Sequence, residues 1–278
     1  MALTIFHRIP GYFQKIASRF HTPYFRTSDV QIGRGVRFGR NVQFNSQKVR
    51  IGDGCIFMDN VMVDAEEFYI GDFGTVYPDC FFPGPGRIEI GHNCWLGKGV
   101  ILDAQGGTLL GNNVGIGAYS QLWSHHQFGD LAYGARYRHA RPLCLEDEVV
   151  VMPGCVVAPV RMRRRSLLLA GAALAADTLE NTVYGGVPAR SRAGKMPSPF
   201  REIEPAETEA ILRARVADFC RSSGTPVGRI AICADPSAES GAAALIIDVQ
   251  TRSYRKRGTR LERRLIRFLL PDIKLLPA

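Results

Sequence analysis

Long apolar runs, paired cysteines and an acidic excess are all missing from this sequence of 278 residues. No apolar run approaches the ~20 residues that a membrane-spanning helix needs, so a transmembrane protein is not predicted. The seven cysteines form no C-x-x-C pair, which argues against a zinc or disulfide framework. The formal charge of +9 favours an acidic partner: a phosphorylated cofactor, an anionic membrane surface or a nucleic acid.

The remaining composition is that of a folded, soluble protein, with 46% hydrophobic and 22% charged residues. We expect residues 1–29 to form an amphipathic arm, since apolar residues recur at helical spacing among basic ones. Two interpretations stay open: contact with a membrane surface, or packing on the protein body, which the break at Pro10-Gly11 favours. No secretory signal is predicted. We therefore expect a cytoplasmic protein, with peripheral attachment at the inner membrane face as the alternative.

A repeat dominates the middle of the chain. An Ile-Gly or Leu-Gly pair starts at positions 32, 51, 70, 90 and 110, which are 19 or 20 residues apart. Within each unit an aliphatic residue or Phe returns every six residues. This period fits neither a helix nor a long strand, so it predicts short strands joined by tight corners.

A second recurrent position lies four residues after each leading apolar residue and holds small or slender side chains. Four cysteines occupy it: Cys55, Cys80, Cys94 and Cys155. We expect them to be buried free thiols that act as small apolar fillers.

The segments IGDGCIFMDNVMV, IGHNCWLGKGVIL and LGNNVGIGAYSQL resemble the hexapeptide-repeat acyltransferases, including sugar and xenobiotic O-acetyltransferases. The resemblance implies a mainly β fold, a left-handed parallel β-helix over residues 30–190. It also implies a homotrimer with active sites between adjacent solenoids and acetyl-CoA, or another acyl-CoA, as co-substrate. No metal is required.

The hexads are interrupted at residues 127–141, and in repeat proteins such insertions often build the functional face. Just before this loop stand His125 and His126, either of which could be the family's catalytic base. Counting the hexads from Leu122 places the His125 side chain on the outside of the coil, which favours His125 as the base. Alignment of the residues that follow with the family's motif favours His126 instead. Trp123 either caps the core or forms a platform for a sugar ring. Asp130 either assists the acceptor site or makes a turn.

Donor contacts are implied further along the chain, where YGGVPAR at 184–190 resembles the terminal motif of acetyl-CoA-dependent members. Phosphate groups of coenzyme A would suit guanidinium donors. The candidates for the donor site are Gly171, Ala172, Arg163, Arg164 and Arg190.

The chain after the repeat reads as a linker at 191–204 and a small α/β unit at 205–278, with a helix, two strands and a basic helix. We expect its basic residues to form a solvated face; binding to an anionic membrane or to nucleic acid is the alternative.

These features predict an acyl-CoA-dependent O-acyltransferase, most simply an acetyltransferase, that modifies a carbohydrate such as a surface-glycan sugar or its precursor. Nucleic acid is not an expected partner. Two other functions compete. A γ-type carbonic anhydrase shares the fold, but His92, His125 and His139 do not match its zinc-ligand spacing. A non-catalytic trimeric scaffold would use the C-terminal unit for docking.

Overall fold

The hexads fold as short strands that wind around a triangular solenoid. The computed structural model describes residues 21–127, 129–136, 138–233, 245–270 and 272–278. Each coil contributes one strand to each of three parallel sheets, here named A, B and C, and the chain runs from B to C to A. The predicted fold class, a mainly β left-handed parallel β-helix with a small C-terminal α/β unit, is confirmed.

The three sheets stack successive coils in strict register; for example, Trp95-Leu96 pairs with Gly115-Ile116. Sheet A contains Tyr24–Phe25, Gln43–Phe44, Met62–Val63, Phe81–Phe82, Ile101–Leu102, Gln121–Leu122, Val156–Val157 and Ala173–Leu174. Sheet B contains Val30–Ile32, Lys48–Ile51, Glu67–Ile70, Arg87–Ile90, Thr108–Leu110, Leu143–Leu145 and Arg161–Met162. Sheet C contains Arg37–Phe38, Ile56–Phe57, Thr75–Val76, Trp95–Leu96, Gly115–Ile116, Val150–Val151, Leu167–Leu168, Val183–Gly185 and an antiparallel last strand, Arg190–Ser191.

The coils begin at Tyr24, which already pairs with Gln43 in sheet A, six residues before the predicted start. Phe25 stacks on Phe44 at a ring-centroid distance of 4.9 Å, so the first coil joins the core. Most of the predicted N-terminal arm, residues 1–20, lies outside the described residues.

The core consists of the leading apolar residues, which point inward from all three sheets. Phe57, Val76, Leu96 and Ile116 stack in sheet C and are each at most 1% exposed. Full burial of such a side chain is worth about 1.5–3 kcal/mol. The four predicted cysteines are buried as well, and burial raises the pKa of the Cys55, Cys80 and Cys94 thiols to about 12. They are free thiols that fill the core, as predicted.

The loop between sheet A and sheet B in the sixth coil leaves the solenoid, as the missing hexads indicated. His125–Gln127 and Arg138–Ala140 pair as an antiparallel hairpin. A short 3₁₀ helix, Leu131–Tyr133, follows the first hairpin strand. The chain re-enters sheet B at Leu143, which pairs with Thr108.

The C-terminal unit packs two helices on a four-stranded sheet. Helix α1 spans Pro205–Ser223 and helix α2 spans Arg260–Leu269, with a 3₁₀ turn at Val227–Arg229. The strands are Ile230–Cys233, Leu245–Asp248, Ser253–Tyr254 and Leu276–Pro277. In α1, Leu212 is buried in the core of the unit, whereas the neighbouring Ile211 is 42% exposed. Across the described part of the chain, neither helix is both long and apolar enough to cross a membrane.

The C-terminal unit docks along the B–C corner of the solenoid, where the chain passes from sheet B to sheet C. Lys256 Nζ lies 2.7 Å from Asp72 Oδ2 and 3.2 Å from Asp53 Oδ2. Arg252 pairs with Glu148, and Lys274 Nζ donates to the Asn113 carbonyl oxygen. The expectation of a solvated basic face is therefore wrong for Arg252 and Lys256, because the solenoid supplies their acidic partners.

Candidate active site

A pair formed by a histidine and a carboxylate lies at the A–B corner, where the chain passes from sheet A to sheet B. His125 begins the hairpin after the sixth sheet-A strand, and Asp103 occupies the corner of the coil below. His125 Nδ1 lies 2.8 Å from Asp103 Oδ2. The Asp103 side chain is 2% exposed and the His125 side chain is 23% exposed, so a buried carboxylate holds an imidazole that solvent can reach.

Ser124 fixes the position of that carboxylate. Its backbone N–H donates to Asp103 Oδ2 at 2.9 Å, and its hydroxyl donates to the same oxygen at 2.5 Å. The Ser124 hydroxyl in turn accepts a hydrogen bond from the Gly106 N–H. Three groups therefore converge on one oxygen of Asp103: the N–H and the hydroxyl of Ser124 and Nδ1 of His125.

The carboxylate also decides which nitrogen of His125 can act as a base. Neutral imidazole has one N–H donor and one lone-pair acceptor. Because an ionised carboxylate only accepts, Nδ1 carries the proton and Nε2 carries the lone pair. The Trp123 ring lies beside the imidazole, at a centroid distance of 6.1 Å and an interplanar angle of 78°. The site therefore combines a basic nitrogen with an aromatic wall.

His126 and Asp130 lie away from this pair. His126 follows His125 in the hairpin strand, so its side chain points to the opposite face of the strand, and it is exposed. Asp130 Oδ1 accepts a hydrogen bond from the Ala132 N–H at 2.8 Å and caps the 3₁₀ helix. The Asp130 carboxylate has the turn role that the sequence left open.

Two of the three arginines predicted for the donor site, Arg163 and Arg164, lie at the B–C corner. Arg163 Nη1 is 3.1 Å from Glu146 Oε1, and Arg164 Nη2 is 3.3 Å from Glu148 Oε2. Glu148 also accepts from Arg165 and Arg252. Burial alone would raise the pKa of Glu148, but the hydrogen bonds from Arg252 and Arg165 lower it to about 2. Arg163 and Arg164 thus pair with carboxylates of the preceding coil, and Arg252 of the C-terminal unit shares Glu148 with Arg164.

Gly171 and Ala172 lie at the C–A corner, where the chain passes from sheet C to sheet A, and Arg190 lies in the last strand of sheet C. The Gly171 N–H donates to the Pro153 carbonyl oxygen and the Ala172 N–H to that of Leu169. The YGGVPAR segment folds over this end of the solenoid, with a bond from the Ala189 N–H to the Ala173 carbonyl oxygen. Arg190, the next residue, pairs with Gly185 in the last strand of sheet C.

Asp103 is the residue that sequence reasoning missed. The signal was present in the repeat: Ile101-Leu102 pairs with Gln121-Leu122, so Asp103 stacks directly below Trp123. Asp103 and His125 are 22 residues apart in sequence and meet only because the coils stack. A motif read along the sequence does not include this stacking.

Among the residues that the structure describes, no group of three or more His, Cys, Asp or Glu side chains lies close enough together to hold a metal ion.

No family model matches the chain, and no curated protein matches it. Among solved structures, it is similar to a point mutant of AntD, an N-acyltransferase from Bacillus cereus, in complex with dTDP and coenzyme A: 13% identity, 77% of this chain and 97% of that chain, TM-score 0.43. A second is the polySia-specific acetyltransferase NeuO, with 13% identity, 72% and 98% coverage and a TM-score of 0.39. A third is UDP-N-acetylglucosamine acyltransferase from Campylobacter jejuni, with 13% identity, 70% and 90% coverage and a TM-score of 0.46.

Proposed function

We propose that this protein is an acyl-CoA-dependent O-acyltransferase that transfers an acetyl group to a carbohydrate hydroxyl, with His125 as general base. The observation that carries the proposal is the pair formed by His125 Nδ1 and the buried carboxylate of Asp103, 2.8 Å apart at an accessible corner. The resemblance of the hexads to acyltransferases supplies the reaction class.

The chemistry follows from the tautomer that Asp103 selects. His125 Nε2 removes the proton of the acceptor hydroxyl as the oxygen attacks the thioester carbonyl carbon. The tetrahedral intermediate collapses, the carbon–sulfur bond breaks, and the imidazolium returns the proton to the departing thiolate of coenzyme A. Asp103 stabilises the transient imidazolium and keeps Nδ1 protonated throughout.

Trp123 supports a carbohydrate acceptor. Its half-buried ring borders the imidazole, and an aromatic face packs against the C–H groups of a sugar ring while leaving the hydroxyls free. A sugar stacked there would present a hydroxyl to His125.

The C–A corner suits the donor. Gly154 and Gly171 stack there in neighbouring coils, and a Cβ built on either meets no atom within 4 Å. This leaves an open strip without side chains, along which the slender arm of coenzyme A would lie. The exposed guanidinium of Arg190 would pair with a phosphate group.

The separation of these two corners supports a homotrimer. Within one chain the A–B corner with His125 and the C–A corner with Gly171 border opposite edges of sheet A, so one chain does not bring base and donor together. In a closed three-fold ring each subunit meets its neighbour through two different surfaces. Such a ring would place the C–A corner of one subunit against the A–B corner of the next and complete three sites.

The direct test is a screen of carbohydrates with acetyl-CoA, in which released thiol is measured against a control without acceptor. We expect thiol release and a mass increase of one acetyl group on at least one sugar. A folded trimer that binds no coenzyme A in calorimetry and releases no thiol with any sugar would instead favour the scaffold function.

A further inference from the structure

A polar groove of about 410 Å³ runs along the A–B corner below the active site. It is formed by the corners of the first four coils, and the polar residues that line it are Arg26, Thr27, Asn45, Ser46, Gln47, Asp64 and Glu66. Pro85, from the fourth of these corners, closes its upper end. The next corner above it is that of Asp103.

Ser46 shows that the groove has an unmet hydrogen-bonding requirement. The Ser46 side chain is 1% exposed, and its buried Oγ has no hydrogen-bond partner among the described residues. Ser124, which occupies the equivalent corner position four coils above, donates to Asp103 and accepts from Gly106. An unsatisfied buried hydroxyl is unfavourable. A molecule in the groove that formed a hydrogen bond with Ser46 Oγ would remove this cost.

The charges of the groove favour a neutral polyhydroxy ligand. Within the described residues, Arg26 and Glu66 make no ion pair, while Asp64 accepts from the Asn45 amide at 2.7 Å. An anion would meet two carboxylates, and a cation would meet the guanidinium of Arg26. Neighbouring sugar hydroxyls can donate to a carboxylate and accept from an amide or guanidinium at once, so this mixture suits them.

The groove lies at the same corner of the solenoid as the active site. Neighbouring coils are about 4.8 Å apart, so Asp64, two coils below Asp103, lies about 10 Å from it along the corner. The corners between them stack tightly, because a Cβ on Gly86 would lie 1.9 Å from the Ala104 carbonyl oxygen. A chain molecule that reached from Trp123 down to Ser46 would pass the corner where Gly86 and Ala104 stack, two positions with little or no side chain.

We infer that the acceptor is an oligosaccharide or polysaccharide whose neutral sugar units, beyond the one that reacts at His125, bind in the groove between Arg26 and Pro85. This inference deepens the proposed function and rests on it for the identity of the reacting end. The groove would select acceptors by length and charge, and His125 would perform the reaction.

The test is direct binding of the full-length protein to an array of neutral and acidic oligosaccharides of one to six units. Wild-type protein should retain neutral oligosaccharides of several units more strongly than single sugars. The exposed groove residues permit substitutions with little risk to folding: Arg26→Ala and Glu66→Ala should each weaken this binding by at least about tenfold, the effect of losing a charged hydrogen-bond partner. Glu180→Gln, which changes an exposed carboxylate outside the groove, should bind like the wild type.

His125→Asn separates this inference from the proposed function, because it should abolish transfer and leave array binding unchanged. Binding without transfer to any retained sugar would contradict the proposed function and leave the groove intact. Equal retention of single sugars and oligomers, preference for acidic oligosaccharides, unchanged binding by both groove variants, or no retention at all would each overturn the groove assignment.

Discussion

Asp103 and His125, 22 residues apart in sequence, form a 2.8 Å hydrogen bond between carboxylate Oδ2 and imidazole Nδ1. The bond exists because the two residues occupy neighbouring coils at one corner of the solenoid. Ser124 supplies two further donors to the same oxygen. The imidazole is thereby held in one tautomer before any substrate binds.

Asp103→Asn should lower kcat by roughly 10²-fold while KM for the acceptor changes little, because the amide can donate to Nδ1 and would move the proton to Nε2. The measurement is the pH dependence of kcat/KM for variant and wild type. If Asp103 had a purely structural role, Asp103→Asn would reduce the folded fraction of the protein but leave the shape of the pH profile of kcat/KM unchanged. Circular dichroism of the variant provides the control for folding.

Mixed assemblies test whether the site is shared between subunits. His125→Asn removes the base, and Ala170→Trp, at an exposed position of the C–A corner, would block the donor strip. Each variant alone should be inactive. Co-expression in equal amounts should restore about a quarter of wild-type activity, because in a closed trimer one interface in four combines an intact base with an intact donor corner. Trimers that remain as inactive as the two parents would place the donor on the same chain as the base.

Glu148→Gln tests the ion pairs that dock the C-terminal unit. We expect the free energy of unfolding to fall by about 1 to 2 kcal/mol near neutral pH, allowing for solvent screening of the partly exposed arginines. The folded-state pKa of Glu148, about 2, is below its usual value of 4.5. The wild-type advantage is therefore full above pH 4.5 and is lost as the pH falls toward 2.

Urea unfolding of the two proteins at neutral and acidic pH measures this difference. Glu146→Gln is the matched control, because Glu146 contacts Arg161 and Arg163 of the same cluster and makes none of the contacts to Arg252. A larger loss of stability in Glu146→Gln than in Glu148→Gln would contradict the docking role.

Much of the fold could be predicted because the six-residue period fixes which side chains face inward. Cys55 and Leu96, for example, are buried where the period places them. The hairpin after Leu122 was likewise marked by the loss of the hexads. These features depend only on residues that are near one another in the chain.

The candidate site was less predictable, because it depends on which corner each residue occupies. Asp103 was missed since its partner belongs to the next coil. Arg163 and Arg164 were expected at the donor site from the family resemblance and the match of guanidinium to phosphate, and the structure pairs them with Glu146 and Glu148 at the B–C corner. The basic residues of the C-terminal unit were misjudged for the same reason, since the carboxylates that pair with them lie about 100 to 200 residues earlier in the chain.

The choice between the two adjacent histidines tests the catalytic proposal most directly. The measurement is kcat/KM for acetyl transfer by wild type, His125→Asn and His126→Asn, with the acceptor found in the carbohydrate screen. We expect His125→Asn to lose about 10² to 10⁴-fold, the usual contribution of a general base, and His126→Asn to stay within a few-fold of wild type. A folded His125→Asn trimer that transfers acetyl groups at the wild-type rate would contradict the role of the Asp103–His125 pair.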